Sequence, residues 1–210
     1  MALVMTSLTL LVSVLCLPLH VMHAVGLHEI YKRVFPFCWS RISKTYYNKK
    51  MHDEKKELFR SLLEFIRPDG QKYLEKSINE NNHLACERFV VASGEDMRSV
   101  GDGSVDVVVC TLVLCSVRDA PQTLREVHRI LRPGGAFLFL EHVIADPSTW
   151  TYFFQHVLQP AWYYFGDGCE VTRDTWKHLE AAGFSELKLR HIEAPLLFLI
   201  KPHIVGYAVK

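Results

Sequence analysis

The chain has 210 residues, 49% of them hydrophobic and 22% charged, and a net charge of +1. It is too apolar for a disordered polypeptide and too neutral for a surface that grips nucleic acid, and its length accommodates one α/β domain plus an appendage. Its six cysteines include no C-x-x-C pair and its histidines form no ligand-spaced set, so no metal site is expected.

The appendage comes first. From Ala2 to Leu27 there is no Asp, Glu, Lys or Arg, a run long enough to cross a bilayer as a helix. It is longer than a signal peptide and lacks a basic leader, and Val21-Met22-His23-Ala24 is a poor cleavage site, so residues 1–28 are expected to stay as a membrane anchor. Pro18 lies inside the run with His20 and His23 nearby, which leaves open a kinked span and a hairpin lying in one leaflet. Between Lys32 and Lys56 eight basic residues face two acidic ones, a net of +6, which leaves −5 over the remainder. Basic flanks stay cytoplasmic and attract anionic headgroups, so the bulk of the chain should face the cytosol, although a solvated linker would carry the same charges. Residues 29–70 comprise this basic segment and an amphipathic helix from Met51 to Ile66, with Leu58, Phe59, Leu62, Leu63 and Ile66 on one side.

Beyond a break at Arg67-Pro68-Asp69-Gly70, Tyr73, Leu74 and Ile78 predict a short helix, and Arg88 to Ala92 a strand. Val105 to Thr111 is β-branched and almost uncharged, bounded by Gly101 and Gly103, as a buried strand of a mostly parallel sheet should be. Leu124, Val127 and Leu131 then repeat at helical spacing behind Asp119 as N-cap, Pro133-Gly134-Gly135 stops the helix, and Ala136 to Leu140 is a second buried strand. Parallel neighbours need such a crossover, so this is a βαβ unit and the fold class is α/β. Cys110 and Cys115 flank a strand end as small buried hydrophobes. The aromatic stretch from Trp150 to Phe165 fits core, a lid, or the wall of an apolar substrate pocket. Thr172 caps a helix to about Ala182 with Gly183 at C′, and Leu187 to Ile192 and Ile204 to Val209 are the final strands.

Asp102 through Val109, then Leu131-Arg132-Pro133-Gly134-Gly135 and a strand ending Glu141-His142, resemble the second half of class I S-adenosylmethionine-dependent methyltransferases. With the apolar leader, Phe35-Pro36, Phe89-Val90-Val91-Ala92 and the closing stretch from Pro202 to Lys210, nearly the whole chain resembles the methyltransferase-like protein seven family of membrane-anchored thiol S-methyltransferases. The resemblance implies a Rossmann-like doubly wound sheet, S-adenosylmethionine as cofactor, methyl transfer to alkyl thiols, and residence on endoplasmic reticulum membrane and lipid droplets. Class I enzymes place an acidic-x-Gly-x-Gly-x-Gly turn after strand one and an acid after strand two to hold the cofactor. Here the chain passes directly from Asp69-Gly70 to Gln71-Lys72-Tyr73-Leu74, so roughly thirty residues of β-α-β are absent. Residues 71–210 are therefore expected to form an incomplete methyltransferase-like domain without strands one and two, and with impaired cofactor binding. The triplets Gly101-Asp102-Gly103 and Gly166-Asp167-Gly168 are ordinary turns.

In the family pattern the loop after strand three carries an acid and a backbone N–H for the adenine. Either Ser93-Gly94 or Glu95-Asp96-Met97 fills that place, while Glu95 and Asp96 read equally well as surface loop acids. Thr111 and Leu112, at the carboxyl end of their strand, line the cofactor cleft. His142 beside Glu141 is the candidate base for the substrate thiol, against a structural hydrogen-bonding role. Two functions follow: an active membrane-anchored thiol methyltransferase, and a catalytically silent splice-type variant that keeps the anchor and its contacts. A nicotinamide-dependent dehydrogenase is weaker, because it too needs a glycine turn after a first strand. Loss of strands one and two would bare an edge on Val105 to Thr111, and Arg88 to Ala92 is expected to pair with it.

Overall fold

A computed structural model of the chain describes residues 2–27, 31, 41, 43–62, 64, 65 and 92–210. The uncharged leader folds as two helices, α1 (Ala2–Leu15) and α2 (Leu17–Ala24), bent by 48°. Pro18 sits in the first turn of α2, where its missing N–H costs nothing but cannot continue the preceding ladder. Among the described residues no single helix is long and apolar enough to cross a membrane, whereas the bent pair together meets that length and composition.

After a π-turn (Ser43–Tyr47) and a single turn (Asn48–Lys50), α3 (His52–Leu62) carries Asp53 and Glu54 at its start and Arg60 at its end, the charge order its dipole favours. It ends short of the expected Ile66. The expected helix over Tyr73 to Ile78 and all but Ala92 of the expected strand from Arg88 lie outside the described residues.

β1 (Val105–Thr111) has the expected bounds. Asp119 caps α4 (Ala120–Ile130), its carboxylate accepting from the Gln122 N–H at 2.8 Å, and Ala120, Thr123, Leu124, Val127 and Ile130 make the buried stripe. β2 (Leu131–His142) starts earlier than the expected Ala136, because the chain turns extended directly at Leu131 and pairs there with Val105. Gly135 makes that start possible: a Cβ there would lie 2.8 Å from the Asp106 carbonyl oxygen. Next come α5 (Trp150–Phe165), α6 (Thr175–Ala181), β3 (Glu186–Glu193), a 3₁₀ turn (Phe198–Ile200) and β4 (Pro202–Val209). The α6 helix is preceded by Asp174 rather than capped by Thr172, since the residues after Thr172 remain extended loop; Gly183 closes it with φ +76° as expected.

The sheet order is β1-β2-β4-β3, with β1 and β2 parallel and β4 antiparallel to both β2 and β3. β2 is buried on both faces. Phe137 and Phe139 pack with Leu124, Val127, Leu179 and Ile204 on one side, and Leu138 and Leu140 with Tyr47, Met51, Leu58 and Val205 on the other. A helical layer thus covers each face of the strand that delivers Glu141 and His142. Among the described residues β1 pairs with β2 alone, and whether residues 88–91 meet its other edge lies outside them.

Candidate active site

A cavity of about 360 Å³ opens at the carboxyl ends of β1 and β2. Leu112 turns into it immediately after β1 with φ +57°, a left-handed conformation that a branched side chain holds only under constraint from its surroundings. Cys115 and Ser116 follow from the same loop, His142 comes from the end of β2, and His203 from the start of β4. His142 and His203 are register partners across the β2/β4 ladder, their ring centroids 6.2 Å apart. Tyr47 stacks on His203 at 6.3 Å, and Trp162, Gly166, Asp167 and Cys169 close the far side from α5 and its turn. The Gly166-Asp167-Gly168 triplet is the turn expected, and it also supplies cavity wall.

The polar groups here are buried and under-bonded. His142 Nε2 and Cys169 Sγ share a hydrogen bond of 2.9 Å, and Trp162 donates its indole N–H to the same sulfur at 3.2 Å. One oxygen of Glu141 accepts from the Val113 N–H at 3.0 Å and from the Cys110 thiol at 3.2 Å. Its second oxygen, His142 Nδ1, His203 Nε2 and the Tyr47 hydroxyl have no partner. Native proteins leave few such atoms, and a group of them around one cavity marks a place where a ligand belongs.

Protonation follows from this crowding. A hydrogen bond from Cys169 and the nearby His142 charge hold the Cys115 thiol well below the usual thiol range, against burial that would raise it. Cys169, which provides that bond and is itself buried, is pushed far up. Burial alone would lower His142, but the Cys115 thiolate and Glu141 outweigh it and the net shift is upward. Burial, then the Cys115 charge, raises Glu141 to about 7, and burial with the neighbouring His142 lowers His203 to about 4.

Cys115, His142 and Cys169 offer donor atoms within 4.8 Å of one another, a set that the loop after β1, the end of β2 and the turn after α5 bring together and that sequence spacing did not signal. A soft cation such as Zn²⁺ takes these ligand types. Here, however, His142 Nε2 is held by a sulfur, and Nδ1 lacks the acceptor that orients a metal-bound imidazole, so the trio is arranged to share protons.

The other expected site residues are placed differently. Thr111 is half-buried at the end of β1 beside the cavity-lining Leu112. Ser93, Gly94, Glu95, Asp96 and Met97 form a loop against α4 that spends its groups internally. Glu95 accepts from the Asp119 N–H at 2.9 Å, Asp96 pairs with Arg98 at 2.7 Å, the Met97 N–H donates to Glu126 at 2.7 Å, and Gly94 lies against Thr123. Cys115, Cys169, His203 and Tyr47 were not singled out by sequence. Their signal is the antiparallel insertion of β4 beside β2, which puts His203 next to His142.

A parallel βαβ unit continued by an antiparallel β4 between β2 and β3, with a cavity at the carboxyl ends of its parallel strands, defines a class I S-adenosylmethionine-dependent methyltransferase fold. A family model described as a methyltransferase domain matches residues 51–139. Human thiol S-methyltransferase TMT1A is 51% identical over 215 positions, covering 86% of this chain and 88% of that protein. Human thiol S-methyltransferase TMT1B is 42% identical over 248 positions, covering 97% of each, and its rat counterpart is 41% identical over 238. The chain belongs to the family of the thiol S-methyltransferases TMT1A and TMT1B. Of the 215 positions aligned with TMT1A, 86% of 210 residues fill about 181, so about 34 have no counterpart in this chain.

The residues present fit the methyl-accepting side of an S-adenosylmethionine site: a constrained turn at Leu112, a dry wall, and unpartnered buried polar atoms around the space. In the loop over residues 93–97 the N–H groups of Glu95, Asp96 and Met97 and the carboxylates of Glu95 and Asp96 are engaged within the protein.

Proposed function

We propose that this chain transfers a methyl group from S-adenosylmethionine to the sulfur of a small alkyl thiol held in the cavity beside His142. The observation that carries the reading is the unpartnered Nδ1 of a buried imidazole lining that cavity, in a chain half identical to a thiol S-methyltransferase. When bound, S-adenosylmethionine supplies an electrophilic methyl on a sulfonium. The chain's own residues provide the rest. In its neutral form, with the Nε2 hydrogen donated to Cys169 Sγ, His142 takes the thiol proton at Nδ1, and the neighbouring Cys115 charge favours the imidazolium that forms. The thiol sulfur then carries the charge that attacks the methyl carbon, and the products are a thioether and S-adenosylhomocysteine. Leu112, Trp162, Phe165 and Ile200 keep water from that sulfur.

Two further parts of the reading concern setting and strength. The uncharged helices α1 and α2 with the basic segment behind them hold the chain on endoplasmic reticulum membrane and lipid droplets, with the domain facing the cytosol. S-adenosylmethionine binds weakly, because no glycine turn stands near Gly70 and about 34 aligned positions of TMT1A are unmatched. In its extreme form this second feature gives a silent splice-type variant that acts through membrane or protein contacts alone.

The test is single-turnover methylation of an alkyl thiol by the purified full chain, read by mass of the thioether, beside calorimetric titration of S-adenosylmethionine. Thioether formation lost in His142→Gln supports the enzyme. Saturating cofactor without product, or no binding at millimolar cofactor, leaves the silent form.

A further inference from the structure

Helix α5 has three faces. Gln155, Gln159 and Trp162 turn to the domain, where they bond the backbone of Ala145, Val171 and Cys169 or the Cys169 sulfur. The His156 side meets α1, whose Thr9 hydroxyl reaches the His156 carbonyl at 3.3 Å, and Tyr164 meets α2 through His20 at 5.0 Å. The more buried residues Met5, Thr9 and Val12 of α1 and Cys16 at the bend recur at helical spacing on this side. On the third face of α5, at steps of three and four, Trp150, Phe154 and Phe165 are exposed while Leu158 and Ala161 between them are half-buried, and among the described residues no element packs across the three exposed rings. Trp150 is 70% exposed and Phe165 62%. Phe154 continues this surface onto the 3₁₀ turn through Phe198, at 5.6 Å, with Leu197 63% exposed beside it.

We propose that this face of α5, together with Leu197 and Phe198, lies in the interfacial region of a lipid bilayer, continuous with α1 and α2, and that the cavity is reached from the membrane. Two observations choose lipid over a protein partner. Neither Ala2 to Leu27 nor Trp150 to Phe165 contains an Asp, Glu, Lys or Arg, so no charged side chain interrupts the combined surface where a protein interface would mix polar groups into it. The contact between α1 and α5 also fixes their relative depth: the medium that receives the outward Leu3, Leu10, Leu11 and Leu15 of α1 receives the neighbouring face of α5. Trp and Phe on such a face, with the charged sheet beyond, make an in-plane arrangement rather than a span. Phe165 ends the exposed stripe and also lines the cavity with Trp162 and Tyr31, whose hydroxyl donates to the Phe165 carbonyl. The mouth therefore opens at the lipid edge, and lipophilic thiols enter without crossing water. The docking surface stands apart from the catalytic reading; only this consequence for substrate rests on it.

The test uses the full chain on phosphatidylcholine vesicles whose acyl chains are brominated near the headgroup. Bromine should quench a component of tryptophan emission that Trp150→Phe removes, and Phe154→Gln with Phe198→Gln should weaken vesicle partitioning at least tenfold. Emission from Trp150 untouched by bromine, or partitioning unchanged in the double variant, overturns the proposal. So does a lipid-free dimer that the double variant abolishes, since the occupant is then a second copy. With product detected, the double variant should raise KM about tenfold for a long-chain alkyl thiol and leave a short water-soluble thiol unchanged; equal effects on both overturn the membrane route. If the wild type methylates neither thiol, the catalytic reading fails and the bromine result still decides the docking surface.

Discussion

The described chain holds two dense groups of ionisable side chains, and they are bonded in opposite ways. Around the loop over residues 93–97 every acid has a partner at or near the surface: Asp96 with Arg98, Asp102 and Glu126 with Arg129, Glu95 with the Asp119 N–H. Around the cavity Tyr47, His142 and His203, and next to them Glu141, are almost fully buried, yet each keeps a polar atom without a partner. Desolvated groups that forgo their bonds cost stability, and solvated groups that pair contribute little. Buried valences left open in this way are where a ligand or a proton is expected, which makes the buried group the candidate site.

The sharpest way to break that contrast is His142→Gln. Removal of a positioned base should lower kcat/KM for a thiol by about 10²–10³, with the thermal midpoint little changed, whereas Asp96→Asn should cost less than about threefold. Comparable losses from both would place the loop in the site.

Stability against pH separates the buried groups from one another. Glu141, raised to about 7 when folded, binds its proton more tightly in the native chain, so its contribution is present below about 4.5 and lost as pH rises through 7. His203, lowered to about 4, acts the other way: its contribution is present above about 6.5 and lost as pH falls through 4. Each is worth about 3 kcal/mol, and in the wild type they oppose each other between about 4.5 and 6.5. Denaturant melts of Glu141→Gln should therefore show stability climbing with pH across that window, more steeply than in the wild type. A wild type already as steep as the variant would mean that Glu141 is ionised throughout.

A smaller effect tests the thiolate. Cys115→Ser removes the charge that raises His142, so the acidic limb of the kcat/KM profile should move to lower pH, with about a tenfold loss at the plateau. A limb that stays in place would assign the activating charge to Glu141.

What could be read beforehand follows the range of the interactions. β1 is marked by a β-branched run behind Gly101 and Gly103 and α4 by its Asp119 cap, all local signals, and both stand where expected. His142 stands where expected, at the end of a strand beside an acid. Cys169 and His203 were not legible, since the first reaches the cavity through the turn after α5 and the second only because β4 inserts antiparallel beside β2. Tyr47 lay in a stretch whose charges point to a linker, although its ring is buried against the sheet. Cys115 reads in sequence as a small hydrophobe; it is buried as expected, and the nonlocal Cys169 thiol, with His142 behind it, holds the Cys115 thiol below the usual range against that burial. The acids of the 93–97 loop illustrate the converse, because a motif places them and their bonding decides what they do.

The exposed group offers the last and smallest test. Glu126 accepts from the Met97 N–H at 2.7 Å and pairs with Arg129, which in turn donates to the Met97 and Val100 carbonyls. These bonds fix the loop to α4. Glu126→Gln keeps the shape and weakens the charge-assisted bonds, so it should cost about 1 kcal/mol in a denaturant melt. The same variant should leave the KM for S-adenosylmethionine within about twofold, because no atom of Glu126 lines the cavity. A large rise in that KM with normal stability would mean that the loop must be held in place to receive the adenine, which would join the two groups into one site.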